Sequence, residues 1–171
     1  MITLRITETM MSLVRSDLIR EHPFAYERVG FLFLRQGSCD KGMLLIATSY
    51  SSVPDDQYIR DLTVGARINV NAIRNAMQRI MDTGEDVLHV HLHAQKGVPA
   101  FSQVDLDGLK QLIPSFQKVC VDGIHGAAVL SADNVSAIVW HPKEKSIFAV
   151  NKISIVGFPI NIYERSAHAR R

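Results

Sequence analysis

The chain has 171 residues, enough for one compact α/β domain with a real core and too few for two. Hydrophobic residues make up 47% and charged residues 21%, a balance that excludes a disordered chain. With 19 basic against 17 acidic residues the net charge is +2, and much of that excess sits at the end with Arg165, Arg170 and Arg171, so neither nucleic acid nor a membrane surface is expected as a partner.

Met1–Ile6 reads as a short edge strand. Thr7 or Thr9 then caps a helix whose apolar residues Met10, Leu13, Val14, Leu18 and Ile19 recur at helical spacing, and Pro23 ends it. His22, in its last turn, reads as a helix-end residue facing free carbonyls. Glu27 follows in a loop, then Val29–Leu34 as a buried strand and Gln36-Gly37-Ser38 as a turn. Met43–Tyr50 is the next strand, followed by a solvated turn with Asp55 and Asp56 beside Pro54. The stretch from Tyr58 to Val70 carries no clear period and reads as a strand and a loop. Asn69 or Asn71 caps a helix with Ile73, Ala76, Met77 and Ile80 on one face, Arg74 and Arg79 on a solvated one, and Gly84 as its stop.

Leu88-His89-Val90-His91-Leu92-His93 is the most informative stretch of the chain. Histidines alternating with apolar residues describe a β-strand, and its two-residue period puts all three imidazoles on one face. The loop Ala94–Phe101, with Gly97 and Pro99, leads to Ser102 and Asp105, a serine followed three residues later by an acid. That is the capping-box pattern, and Leu106, Leu109 and Leu112 supply the helix it starts, expected over 102–113. An acidic side chain on a helix N-terminus is well placed to lean toward a metal on the neighbouring strand.

Ile124–Leu130 reads as a strand containing His125, which no spacing ties to the other histidines and which is expected to be structural or to back the ligands. Asp133-Asn134 turns the chain into Val135–Trp140, and His141–Lys145 turns it again. Ile147–Val150 and Ile153–Ile160 read as final strands, the last broken near Gly157 and Pro159, before a frayed tail at 166–171. The count describes one α/β domain over 1–165, a mixed β-sheet flanked by helices. Cys39 and Cys120 lie in no paired or metal-binding pattern and read as reduced thiols. With no apolar run of membrane-span length, this places the chain in the cytoplasm.

His91-Leu92-His93, Ser102 and Asp105, with Glu27 upstream in Tyr26-Glu27-Arg28-Val29-Gly30-Phe31-Leu32, resemble the signature of JAB/MPN domains with an intact JAMM motif, the zinc-dependent isopeptidases. The pattern departs in two respects. Eight residues rather than the usual seven separate His93 from Ser102, and Ala94 stands where proline is usual. The resemblance spans roughly 22–150 and implies an MPN/JAB, cytidine-deaminase-like sandwich. It implies Zn²⁺ held by His91, His93 and Asp105 with one position left for water. Glu27 is implied as the acid–base group and Ser102 as the donor to the developing oxyanion. His89, on the same face, is expected to line the cleft or support the ligands.

The implied substrate is an amide or isopeptide bond after the C-terminal tail of ubiquitin or a ubiquitin-like protein, with strand addition at an exposed sheet edge as a way to align that tail. Two other readings stay open. One is a non-catalytic MPN scaffold for protein assembly, and the other a metallohydrolase of small amides. A two-histidine, one-carboxylate site also accepts iron or another divalent ion.

Overall fold

The computed structural model describes residues 1–21, 23–39, 42–158 and 160–164. The expectations for His22, for the Cys39 thiol, for a break at Pro159 and for the tail at 166–171 fall outside what is described. The elements run β1 (Ile2–Thr7), α1 (Glu8–Leu18), β2 (Val29–Cys39), β3 (Gly42–Ser52), α2 (Val70–Thr83), β4 (Asp86–Leu92), α3 (Gln103–Val119), β5 (His125–Leu130), β6 (Val135–His141), β7 (Ser146–Ala149), β8 (Lys152–Val156) and β9 (Asn161–Glu164). The nine strands form one mixed sheet in the order β7-β6-β5-β4-β2-β3-β1-β8-β9.

Alternation along the central strands sorts the core into two layers. On β2 and β4, Leu32, Leu34, Leu88 and Val90 face one side, where α1 packs with Met11, Val14 and Leu18. The intervening residues Val29, Phe31, Phe33 and Val87 face the other, under Ala72, Ala76 and Ile80 of α2 and Phe116 of α3. His89 and His91 share the parity of Val87, so the sheet's pleat sends them to the side of α2 and α3.

Local caps behave as the residues dictate. The Thr7 hydroxyl accepts the Met10 N–H at 3.2 Å, Asn69 caps α2 through the N–H groups of Asn71 and Ala72, and Gly84 ends α2 in the left-handed conformation at φ 65°. Several expectations are corrected by contacts distant in sequence. β1 is no edge strand: it lies between β3 and β8, parallel to both, because the C-terminal segment returns to pair with it. Gln36-Gly37-Ser38 is not a turn, since β2 continues through it, paired with β3 as far as Cys39.

No strand forms between Tyr58 and Val70. A 3-10 turn at Asp55–Gln57 leads into a loop closed by a single bridge between Tyr58 and Ile68. Asp55 is also more than a solvated turn residue, because it pairs with the buried Arg28 at 2.7 Å. Arg79 is not simply solvated either: its half-exposed side chain pairs with Glu85 at 3.1 Å and lies over the Phe33 ring at 4.3 Å. α3 runs through Pro114 to Val119. A proline there costs one helical hydrogen bond, and burial of Ile113 and Phe116 on either side outweighs that loss.

β4, α3 and β5 form a parallel strand–helix–strand unit, Leu88 to Leu92 pairing with Gly126 to Leu130. The loop leaving the carboxyl end of β4 and the first turn of α3 therefore meet over the sheet, where α/β folds commonly place their ligands.

Candidate metal centre

His89 and His91 lie on β4, and His93 is one residue past its end. The His93 N–H still donates to the Leu130 carbonyl at 2.9 Å, which extends the β4–β5 ladder and holds the third imidazole in line with the first two. Ring centroids are 6.0 Å apart for His89 and His91 and 4.9 Å for His91 and His93. The expectation of three imidazoles on one face is met.

Asp105 comes to this row from the first turn of α3. The capping box is complete: the Asp105 N–H donates to the Ser102 hydroxyl at 3.2 Å, and the Ser102 N–H donates to Asp105 Oδ2 at 2.7 Å. The helix start thus fixes the carboxylate that points at the histidines. Asp105 Oδ1 is 3.4 Å from His91 Nε2, Asp105 Oδ2 is 3.5 Å from His93 Nε2, and the two Nε2 atoms are 3.2 Å apart. Glu27 Oε1 stands slightly farther out, 3.9 Å from His93 Nε2. Glu27, His91 and His93 present ligand atoms all within 4.8 Å of one another, a group able to hold a metal ion.

The distances fit a small tetrahedral ion. Bonds of about 2.0–2.1 Å place neighbouring ligand atoms about 3.3–3.4 Å apart; the two nitrogens at 3.2 Å, with one Asp105 oxygen 3.4 Å from His91 and the other 3.5 Å from His93, lie near that edge. Glu27 Oε1 lies about half an ångström beyond it, 3.9 Å from His93 Nε2, still within the group of atoms that could surround an ion. Ser102 starts the helix with its hydroxyl lone pair engaged by the Asp105 N–H, which leaves its O–H proton free to be donated elsewhere.

Burial raises the Asp105 carboxyl, but His91 and the Ser102 N–H and hydroxyl outweigh it and hold Asp105 well below the usual carboxylate range. Glu27 moves the other way. Burial and the Asp105 charge push it up against the pull of His91 and His93. Burial, reinforced by His91, holds His89 down at about 3, so that ring is neutral at ordinary pH.

His91 is 3% exposed, and its Nδ1 has no hydrogen-bond partner among the described residues. Ligating histidines generally donate that N–H to a fixed acceptor. Here packing orients the ring instead, between His89 and the edge of Phe101 at 6.4 Å. His125 is fully buried beside Phe116 and accepts the Val87 N–H at 3.3 Å, so it is a structural residue of the β4–β5 ladder and not part of the centre.

The longer loop at 94–101 leaves the ligands in register. It is tied to the β5–β6 turn: the Gly97 N–H donates to Asp133 at 2.7 Å, and the Ser131 hydroxyl donates to the Gly97 carbonyl at 2.6 Å. Arg15 of α1 braces that turn from the far side through the Ser131 carbonyl at 2.6 Å. No sequence signal marked this brace, because its parts lie far apart in the chain.

A cleft of about 690 Å³ opens beside the centre, with Glu27, His91 and Asp105 on its wall and His89 on its floor. One side is α3 from Val104 to Ser115, and the other is the loop carrying Val64, Gly65 and Ala66. The α3 wall is about 16 Å long at 1.5 Å per residue, room for four or five extended residues.

No family model matches the sequence, and no curated protein matches it. Among solved structures, the Trichoplax adhaerens STIL N-terminal domain is similar with a TM-score of 0.40 and 14% identity, over 81% of this chain and 40% of that one. The chain thus spans less than half of the structure it matches. No helix among the described residues is long and apolar enough to cross a membrane.

Proposed function

We propose that this chain is a zinc-dependent hydrolase of the JAB/MPN type, its sheet and helices a variant of that sandwich, cleaving an amide or isopeptide bond after the tail of a ubiquitin-like protein in the cytoplasm. One observation carries the reading. His91 Nε2, His93 Nε2 and the Asp105 carboxylate converge at 3.2 to 3.5 Å, with the Glu27 carboxylate just outside them.

The donor set, two imidazoles and one carboxylate, is that of catalytic zinc sites with an open position. When bound, zinc supplies a Lewis acid that brings the pKa of water toward neutrality and polarises a carbonyl. Glu27 takes the proton from the attacking water as its oxygen bonds to the carbonyl carbon. Ser102 donates its O–H to the oxygen that gains charge, a contact worth about 3 kcal/mol of barrier. As the C–N bond breaks, Glu27 returns the proton to the leaving amine.

We place the tail away from the sheet edges. The edges are β7 and β9, whereas the centre lies over β2, β4 and β5. In this reading an extended tail lies in the cleft along α3, with its scissile carbonyl at the mouth. The filled positions at Glu27, His91, His93, Ser102 and Asp105, undisturbed by the longer loop, speak against a scaffold that has lost its chemistry.

Incubating the zinc-loaded protein with a ubiquitin-like fusion and with small acylated amines tests this. Cleavage at the end of the tail, lost in Glu27→Ala, is the expected result. Cleavage of the small compounds alone would favour the small-amide hydrolase, and no cleavage of either would sink both readings.

A further inference from the structure

Glu27 belongs to no helix or strand, so its carboxylate depends on the surrounding loops. Next to it, Arg28 is buried and anchored, donating to the Arg20 carbonyl and to Asp55, both at 2.7 Å. On the other side, the N–H groups of Tyr26 and Glu27 both donate to one acceptor, the Gly65 carbonyl, at 2.9 and 3.0 Å. Gly65 is itself held in a closed loop. Asp61 accepts from the Thr63 N–H and hydroxyl at 3.0 and 2.6 Å and from Arg67 at 3.1 Å, and the Ile59 N–H donates to the Arg67 carbonyl at 2.8 Å.

Gly65 also leaves a space that Glu27 fills. A Cβ at position 65 would lie 2.5 Å from Glu27 Oε2, 2.7 Å from its Cδ and 3.2 Å from Oε1, and all three of its nearest atoms belong to that carboxylate. The backbone at Gly65 is not in the left-handed region, so the glycine is not required by its own conformation.

We propose that Gly65 is the positioning residue for Glu27. Its carbonyl sets where the Glu27 backbone runs, and its missing side chain sets where the carboxylate rests, beside His93. This rests on the reading of Glu27 as the acid–base group. Gly65→Ala keeps the carbonyl and both hydrogen bonds but pushes the carboxylate aside, and a displacement of about 1 Å at a reacting group costs as much as 10²-fold in rate.

Four proteins test this: wild type, Gly65→Ala, Glu27→Ala and the double variant, each zinc-loaded and assayed on an extended peptide ending in Gly-Gly with a fluorogenic aryl amide. Expected is a kcat for Gly65→Ala at least tenfold below wild type with zinc content unchanged, and no further effect of Gly65→Ala on kcat in the Glu27→Ala background. Wild-type turnover in Gly65→Ala, or an equal loss in both backgrounds, would overturn the proposal.

Thermal unfolding covers a variant that folds poorly. Strain arising from the Glu27 carboxylate is relieved in the double variant, which should match Glu27→Ala, whereas a double variant that also fails to fold would show that Gly65 serves the backbone alone. Should wild type bind zinc yet cleave nothing, the hydrolase reading fails by itself. A crystal structure of metal-free Gly65→Ala then decides the positioning: a displaced Glu27 carboxylate supports it, and an unmoved one overturns it.

Discussion

His91 Nε2 and His93 Nε2 face each other at 3.2 Å, with the two oxygens of Asp105 closing the group at 3.4 and 3.5 Å. Alternate strand positions put both rings on one face, and the capping box of α3 aims the carboxylate between them. Two imidazole nitrogens and a carboxylate drawn this close call for a cation or a proton shared between them.

Removing Glu27 should separate chemistry from metal binding. Glu27→Ala is expected to keep its zinc while losing hydrolysis by about 10²- to 10⁴-fold, the usual contribution of a positioned acid–base group. Elemental analysis and rate measurement on one preparation check this. Loss of zinc in that variant would make Glu27 a ligand instead.

Ser102 has two separable roles. Ser102→Ala should cost about 1 kcal/mol of stability through the lost cap, and Ser102→Gly only a few tenths. Both should lose about 10²-fold in turnover, because both lack the donor to the oxyanion. Urea unfolding beside kinetics resolves the two. Turnover that tracks stability across the pair would leave Ser102 as a cap only.

Gly108 probes the cleft. It lines the α3 wall, and a Cβ there would meet nothing within 4 Å. Gly108→Leu should therefore fold normally, gain up to about 1 kcal/mol of helix stability and keep its zinc. It should raise KM for a tail substrate by about tenfold or more while sparing a small amide. Equal effects on both would place the tail elsewhere.

Two buried groups at the foot of the β4–β5 ladder give the stability a pH signature. Burial holds Asp86 up at about 6 from 3.8, against the Ile124 N–H and Gln36 that it accepts from. Between those values the native state binds the proton and the unfolded chain does not, so this contribution falls as pH rises, by up to about 3 kcal/mol. His125 is held down by burial at about 4 from 6.5, so its contribution is lost as pH falls through that window. The slopes oppose each other. Asp86→Asn should be more stable than wild type near pH 7, with the gain vanishing near pH 4, in urea midpoints measured at both. A gain independent of pH would show that Asp86 stays ionised in the native state down to pH 4.

His89, His91, His93, Ser102 and Asp105 were legible because their geometry is local, whereas Glu27 was reached only through the family resemblance. The two-residue period of a strand fixes the side of His89, His91 and His93, and Ser102 with Asp105 announces a helix start within four residues. Distant pairings hid the rest. β1 gains its interior place from β8, joined through the Ile2 N–H donating to Asn151 and the Asn151 N–H donating to the Ile2 carbonyl. Arg79 reads as a solvated cation until Glu85 and Phe33 lie beside it. The loop from Tyr58 to Val70 has no period to read, yet its Gly65 touches Glu27. α3 outran its expected end at 113 for a different reason: burial of Ile113 and Phe116 carries the helix through Pro114.

Whether His93 helps to hold zinc is read from metal content. Wild type and His93→Ala, purified identically and incubated with zinc, should differ: near-stoichiometric zinc in the first and almost none in the second. A wild type that holds no zinc, or a variant that holds as much, would contradict a metal centre at His91, His93 and Asp105.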